Sequence, residues 1–323
     1  MDPAGFRADL ERKPETLEEL ATSLGRADPW AALPVPDRLL FLGMGSSLYA
    51  AAVAARRLRA VGHNAVAESA ATAASWPPGA GTTVIAVSAT GGSVETLASV
   101  QAYTGRSPLV ALTNQVASPL GGVADLVIPM AAGVETGGVA CRTFQHTLLL
   151  LLALEAHLGA GDVAAVGELG RRAAAATADL LGRRDEWLSD VLGLLDGPDG
   201  LYALAPAERQ SSSLQAALMV REGPRRVATG CETGDWSHVD VYLTKTLDYR
   251  ALMFPGSRWD GQAMEWITQR GSTIVSIGDH VQGAAYTLRY LHDDDLLVRL
   301  LVETTAAELV AAAWWQSLPV ASH

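Results

Sequence analysis

The sequence predicts an α/β fold made of two tandem doubly wound units, each with a mostly parallel sheet flanked by helices. Apolar runs of about five residues alternate with helical stretches along most of the chain, as they do in proteins with parallel sheets. The alternation restarts after a Gly- and Asp-containing loop at 196–200, which indicates a duplicated unit. The length of 323 residues is sufficient for two domains.

The predicted elements divide the chain into four segments. Residues 1–35 are expected to form an N-terminal helix and lead-in, 36–158 the first unit, 159–196 a linker helix and 197–323 the second unit. Strands of the first sheet are predicted at 38–42, 64–68, 83–87, 108–113 and 126–129, and strands of the second at 201–205, 248–254, 272–277 and 296–302. Residues 226–228 are predicted to be short and extended. Helices are predicted at 11–24, 48–61, 97–103, 140–158, 169–194 and 208–221.

Charge and composition narrow the class of protein. The net charge of −11 argues against nucleic acid or an anionic membrane as a partner. The two cysteines, Cys141 and Cys231, lack paired spacing, which favours a reducing compartment and excludes a Cys-based zinc cluster. No basic and apolar leader begins the chain, and the apolar run at 148–154 is far shorter than the ~20 residues of a membrane span. We therefore predict a cytoplasmic protein.

The most informative stretch is the turn at 88–96, which reads Ser-Ala-Thr-Gly-Gly-Ser-Val-Glu-Thr. It follows an apolar strand and precedes a helix, so the N–H groups of the helix start and the hydroxyls of Ser88, Thr90 and Ser93 can bind a phosphate. The alternative is an ordinary strand-to-helix turn in which Ser93 only caps the helix. This turn alone does not decide between the two interpretations.

A second turn of the same kind, Gly-Met-Gly-Ser-Ser at 43–47, follows the strand predicted at 38–42. Ligands of open parallel sheets bind at the carboxyl ends of strands, so two such turns can direct two helix starts at one ligand. Ser46 and Ser47 are the candidate phosphate ligands here, and Gly45 is a candidate pocket residue. The turn matches neither the Walker loop nor the dinucleotide fingerprint. Hydroxyl donors without Lys or Mg²⁺ favour a phosphomonoester.

Taken in order, these segments resemble the SIS (sugar isomerase) family, in particular the isomerase part of glucosamine-6-phosphate synthase and stand-alone phosphosugar isomerases and deaminases. The resemblance rests on residues 43–50, 88–97, 112–114, 118–120, 124–125, 133–135 and 139–144. It implies that a sugar phosphate is held by five hydroxyls, those of Ser46, Ser47, Ser88, Thr90 and Ser93. The family's usual Gln after the first Ser is Ala89 in this chain, so one ligand contact is expected to be missing.

In the second half, the resemblance implies a proton-shuttling carboxylate at Glu222 and a ring-opening imidazole at His238, acting without metal or organic cofactor. A carboxylate can carry a proton between C1 and C2, and a nearby histidine can open the pyranose. From the residues alone, a structural interpretation is favoured for both: Glu222 as a solvated residue at a helix C-terminus and His238 as a surface histidine. Glu135 can either line the pocket or interact with a helix dipole.

Departures from the family pattern limit the expected reaction. The last residues, 311–323, contain no lysine, whereas amino-sugar-forming members close a Lys-bearing tail over the sugar. A glutaminase domain is not expected, because residues 1–35 are too short for one and contain no cysteine. The leading hypothesis is a sugar-phosphate aldose–ketose isomerase or an amino-sugar-phosphate deaminase/isomerase. The alternatives are a non-catalytic sugar-phosphate sensor and a phosphoglucose/phosphomannose isomerase. A homodimer or higher homo-oligomer is expected, because family sites are completed across subunits.

Overall fold

The computed structural model describes residues 1–73 and 75–318 and contains two five-stranded sheets, both parallel throughout. The strands of the first sheet are β1 Arg38–Gly43, β2 Ala65–Ser69, β3 Thr82–Val87, β4 Leu109–Thr113 and β5 Leu126–Pro129. Those of the second are β6 Leu201–Ala205, β7 Ala228–Glu232, β8 Arg250–Met253, β9 Thr273–Ile277 and β10 Tyr286–Leu288. The predicted fold class is confirmed.

Thirteen α-helices accompany the sheets within the described residues. They are α1 Pro3–Glu11, α2 Lys13–Leu24, α3 Ser46–Ala60, α4 Val94–Gln101, α5 Pro119–Val123, α6 Arg142–Glu155, α7 Val163–Gly182, α8 Arg184–Leu195, α9 Gln210–Glu222, α10 Thr233–Trp236, α11 Asp260–Gln269, α12 Leu296–Val302 and α13 Thr304–Gln316. No helix in the described ranges has both the length and the apolar character needed to cross a membrane.

The chain divides into two compact units, each built on one sheet. The unit with the first sheet comprises Glu15–Val134 and Arg142–Arg171. The unit with the second sheet comprises Met1–Pro14, Glu135–Cys141 and the chain from Arg172 onward, so two short segments from the first half belong to it.

In the first unit, every residue of the central strand β3 is buried, because helices cover both faces of the sheet. One face packs against α4, where Leu40, Val84 and Val100 share an apolar cluster. The helix α6 is buried along almost its whole length, which accounts for its run of leucines.

The strand order of the first sheet is β2-β1-β3-β4-β5, so the chain leaves β1 toward one edge and returns on the other side of β1 as β3. The register pairs Phe41 with Ile85 and Leu42 with Ala86, which places the carboxyl ends of β1 and β3 side by side. Such a point of reversed strand order is where open α/β sheets form their ligand crevice. The second sheet has the matching order β10-β9-β8-β6-β7.

The structure corrects several local predictions. Residues Leu296–Val302, predicted as a strand, form the buried helix α12, whose first turn is capped by Asp295 accepting the Leu297 N–H at 2.8 Å. Short apolar runs cannot be assigned to helix or strand by periodicity alone. The fifth strand is Tyr286–Leu288 instead. The helix predicted at 169–194 is two helices separated at Arg183. The helix predicted at 11–24 corresponds to α2, and the helix α1 before it was not predicted.

Candidate functional site

The first hydroxyl turn connects β1 directly to α3. Gly43 lies so close to the helix start that a Cβ there would be 3.1 Å from atoms of Ser47 and from the Leu48 nitrogen. Gly45 is the N-cap of α3 with φ +50°, and Ser46 and Ser47 are its first two residues. Both serines are partly exposed. Their hydroxyls therefore lie at the positive end of the helix dipole.

The second hydroxyl turn connects β3 to α4. Ser88 is buried, and its Oγ accepts the Gly91 N–H at 3.2 Å, which leaves the hydroxyl hydrogen to another acceptor. Thr90 is exposed and its Oγ1 accepts the Gly92 N–H at 3.3 Å. The turn is thus ordered by its own hydroxyls.

Ser93 has the capping role that the alternative interpretation assigned to it. Its Oγ accepts the Thr96 N–H at 3.5 Å, and its hydroxyl donates to the Glu95 carboxylate at 2.9 Å. The pKa of Glu95 is lowered by a bond from its own backbone N–H and further by the Ser93 hydroxyl. A phosphate bound by Ser93 would therefore have to replace Glu95 as the acceptor of this hydroxyl.

The loop after β4 forms hydrogen bonds to the backbone of the second turn. The Thr113 hydroxyl donates to the Ala89 carbonyl at 3.3 Å, and the Asn114 N–H donates to the same carbonyl at 3.1 Å. Asn114 also donates from its side chain to the Gly133 carbonyl at 2.7 Å. Sequence patterns did not indicate this supporting role, although the Thr113-Asn114 pair is part of the segment that carries the family resemblance.

Gly91 is the tightest position of the second turn, and this leads to a stability prediction. Its φ is +60°, and a Cβ there would overlap the Ser118 side chain. We expect Gly91→Ala to lower the free energy of unfolding by about 2–4 kcal/mol, the sum of a left-handed backbone penalty and overpacking. Urea denaturation measures this. Gly92→Ala is the matched control, because its nearest new contact would be 3.9 Å away and its expected effect is within about 0.5 kcal/mol.

The two turns are neighbours because β1 and β3 are neighbours. Adjacent strands lie about 4.8 Å apart, and both strands end at the same edge of the sheet. The helices α3 and α4 therefore begin beside one another at the point of reversed strand order. The structure thus brings all the predicted hydroxyl candidates to one edge of one sheet: Ser46, Ser47, Ser88, Thr90 and Ser93, with Gly45 among them.

The catalytic candidate Glu222 belongs to the second unit. It is the last residue of α9, as the sequence predicted, and it is half-buried. Burial raises the pKa of its carboxyl, and the charge of Arg221 partly offsets that increase. Gly223, which follows it, packs so closely on Trp315 that a Cβ would lie 2.9 Å from the indole ring. The end of α9 is therefore held by α13.

His238 lies at the surface of the same unit. It follows the short helix α10 in a turn, in which the His238 N–H donates to the Asp235 carbonyl at 2.8 Å. The turn is fixed by buried Trp236, whose indole N–H donates to the Tyr249 hydroxyl at 2.8 Å. The His238 side chain is exposed.

Glu135 also belongs to the second unit. It lies in an irregular segment before α6, and the helix that was predicted from residue 140 begins at Arg142. The Glu135 carboxylate accepts the Cys141 N–H at 2.8 Å. Within the described residues, no group of three or more His, Cys, Asp or Glu side chains is arranged to bind a metal ion.

Comparison with known proteins identifies the unit that carries the two turns. Residues 33–156 match the family model described as SIS domain. This segment belongs to the SIS domain family. The match extends from the lead-in to β1 through α6, and it includes both hydroxyl turns. The recognition made from the sequence is confirmed.

Relatives of known name extend the similarity beyond this SIS domain. The chain is 30% identical over 270 residues to the isomerizing glutamine–fructose-6-phosphate aminotransferase of Aeropyrum pernix; the match covers 74% of this chain and 41% of that protein's length.

Solved structures show that the second unit repeats the SIS-type fold. The C-terminal domain of glucosamine-fructose-6-phosphate aminotransferase from Francisella tularensis superposes with a TM-score of 0.83 at 15% identity, covering 98% of this chain and 99% of that one. Tagatose-6-phosphate ketose/aldose isomerase from Escherichia coli gives 0.79 at 14% identity, covering 98% and 94%. At these identities the similarity establishes the fold alone.

Proposed function

We propose that the protein is a sugar-phosphate aldose–ketose isomerase that works by carboxylate-mediated proton transfer between C1 and C2. The observation that carries this proposal is the pair of hydroxyl-bearing helix starts, side by side after β1 and β3 of a SIS domain. Helix starts and short hydroxyls bind phosphate groups without a metal ion. The 30% identity to an isomerizing sugar-phosphate enzyme supports the same class of substrate.

In the proposed complex, the phosphate is bound by Ser46, Ser47, Ser88, Thr90 and Ser93. Each of these five hydroxyls either lies in or beside the first turn of a helix or already orders the turn that leads to one. Phosphate oxygens would accept from these hydroxyls and from the backbone N–H groups at the helix starts. Ala89 offers no side-chain donor, so we expect the phosphate to depend on the serines more strongly than in relatives with Gln there.

The proposed reaction is an internal redox exchange that needs only proton transfers. Glu222 removes the proton from C2 of the open-chain aldose, which gives an enediolate. A proton moves from the C2 hydroxyl to O1, and Glu222 returns its own proton to C1 to give the ketose. C2 is oxidised as C1 is reduced, so no external electron acceptor takes part. The raised pKa of Glu222 suits this role, because a base with a pKa nearer neutrality also serves as the acid of the second step. His238 is proposed to open the sugar ring, and Glu135 is proposed to line the pocket.

The positions of the two lysines favour a carboxylate mechanism over a lysine Schiff base. Lys13 is fully buried in an ion pair with Glu308, and Lys245 lies over the Tyr242 ring with its Nζ 5.4 Å from the ring centre. Release of ammonia from an amino-sugar phosphate is scored separately from isomerisation in the substrate panel described below.

We also propose that the protein forms a homodimer in which His238 contributes to the partner's site. The exposed side chains of Val239 and Tyr242, which follow His238 in the chain, support this proposal because apolar residues at the surface are typical of interfaces. Sedimentation equilibrium that gives only the monomer mass would contradict it.

A substrate panel tests the proposed function. Hexose 6-phosphates, pentose 5-phosphates, their 2-amino derivatives and the unphosphorylated sugars are each incubated with the protein in D₂O and followed by proton NMR. We expect interconversion of one aldose–ketose phosphate pair with deuterium appearing at C1 or C2, and no reaction of the unphosphorylated sugars. Ammonia release would assign a deaminase instead. Binding of phosphorylated sugars without turnover of any would contradict the enzymatic role and leave a sensor.

The raised pKa of Glu222 leads to a pH prediction. The base must be ionised to accept the C2 proton, so activity is lost as the pH falls through the folded-state pKa, which lies above the ordinary value of 4.5. We expect the acid limb of log(kcat/KM) to lie above pH 4.5. Because the Arg221 charge lowers this pKa, Arg221→Gln should move the acid limb to higher pH. A limb that stays in place in this variant would assign it to another group.

A further inference from the structure

The N-terminal helix α1 packs directly against residues 135–138, the segment that contains Glu135. Two glycines permit the contact: a Cβ on Gly5 would be 2.9 Å from the Thr136 carbonyl carbon, and a Cβ on Gly137 would overlap the backbone of Phe6. All of these residues belong to the second unit. The backbones of the helix and of residues 135–138 therefore meet without intervening side chains.

Buried polar contacts fix the same segment. Asp9 is 2% exposed, its Oδ2 accepts the Gly137 N–H at 2.7 Å, and its Oδ1 accepts the Thr136 hydroxyl at 3.3 Å. The Asp2 N–H donates to the Gly137 carbonyl at 3.1 Å. Gly137 is thus held through both its N–H and its C=O, and Thr136 through its hydroxyl, by α1 and its N-cap.

Burying the Asp9 carboxylate on α1 costs free energy, so its presence there indicates a specific structural role. Aspartate is rarely this buried unless its charge is satisfied, and an apolar residue would pack a helix face at lower cost. The Asp9 side chain is bonded across to residues 136 and 137. The Asp9 carboxylate therefore stabilises the position of residues 136 and 137, which follow Glu135 in the chain.

The same helix is connected to the end of α9. Phe6 of α1 packs on Trp315 of α13 with ring centres 5.8 Å apart, and Trp315 contacts Gly223, the residue after Glu222. One short helix thus supports the segments that carry both acidic candidates of the second unit.

We infer that α1 holds the acidic residues of the site in position. Asp9 is the positioning residue, because it fixes Glu135 through Thr136 and Gly137. The inference rests on the proposed function for its effect on turnover. It also has a consequence that does not depend on catalysis: release of residues 136 and 137 should expose Cys141, which is fully buried and whose N–H is bonded to Glu135.

The test compares Asp9→Asn with Glu11→Gln, two carboxylate-to-amide changes on the same helix. Glu11 is the control because its partly exposed side chain pairs with Arg184 and not with residues 135–138. For Asp9→Asn we expect kcat to fall about 100-fold, because a small displacement of a residue that positions the substrate has an effect of this size. The Kd of inorganic phosphate should stay within about twofold, because the hydroxyl turns belong to the other compact unit. Glu11→Gln should leave both quantities unchanged.

Thiol labelling followed by peptide mass spectrometry is the second readout. In Asp9→Asn, Cys141 should react about tenfold faster than in the native protein through local opening, while Cys231, which is buried elsewhere in the second unit, serves as the internal reference. Thr136→Val, which removes the hydroxyl bonded to Asp9, should give the same pattern and replaces Asp9→Asn if that variant does not fold.

Unchanged Cys141 labelling in both variants would contradict the inference that α1 holds residues 136 and 137 in place. Faster labelling with an unchanged kcat would overturn the positioning role. If the native protein turns over no sugar phosphate of the panel, the proposed function fails, and the Cys141 labelling rate alone then decides whether α1 holds the segment.

Discussion

Replacing Glu222 with glutamine is expected to lower kcat for the sugar-phosphate substrate by about 10³-fold or more, because an amide of the same shape cannot accept and return a proton. The side chain is half-buried at the end of α9, and the substitution changes its volume very little. Substrate Kd should change much less than kcat. Stopped assays on the substrate identified by the panel measure kcat, and calorimetry measures the substrate Kd.

The control for this variant is Glu208→Gln, which makes the same chemical change at an exposed position just before α9. It should keep native activity. Deuterium incorporation gives an independent readout, since exchange of the C1 or C2 hydrogen should stop together with turnover in Glu222→Gln. Native rates in that variant would mean that another group carries the proton.

The double variant Ser47→Ala/Ser93→Ala is expected to weaken binding of the sugar phosphate by at least about 100-fold. Hydrogen bonds to a charged group contribute about 1.5–3 kcal/mol each, so two of them correspond to roughly two to four powers of ten in Kd. Inhibition by inorganic phosphate should weaken in parallel. Competition assays with inorganic phosphate measure both quantities in one experiment.

Two controls separate binding from folding in this double variant. Ser99→Ala makes the same change further along α4, outside the turn, and should bind normally. Because Ser93 caps α4, its loss also costs about 1 kcal/mol of stability, so the fraction folded has to be checked by circular dichroism. Unchanged phosphate inhibition in a folded double variant would exclude the hydroxyl turns as the phosphate site.

The parts of the fold that could be predicted from sequence are those determined by local pattern. The strand β1 and the turn after it were predicted nearly to the residue, because an apolar run ending in Gly-x-Gly leaves few alternatives. The helix α12 was missed because a seven-residue buried helix is apolar on most sides and carries no clear periodicity. The helix α1 was missed although Asp2 and Pro3 form a typical helix start.

The same distinction holds for the candidate site. The hydroxyl candidates could be located from the sequence because each lies in the turn before a helix or in the first turn of that helix, and their role as phosphate ligands stays a prediction. That the two turns lie side by side followed only from the strand order. The contact of Asp9 with Gly137 joins residues 128 positions apart, and no local pattern in the sequence indicates it.

A crystal structure of the protein with fructose 6-phosphate tests the central claim most directly. We predict that the phosphate lies at the carboxyl ends of β1 and β3, with its oxygens within roughly 2.5–3.2 Å of the hydroxyls of Ser47 and Ser93. The Ser93 hydroxyl, which donates to the Glu95 carboxylate at 2.9 Å, should then donate to the phosphate instead. A phosphate bound anywhere else, with the Ser93–Glu95 bond intact, would contradict the account.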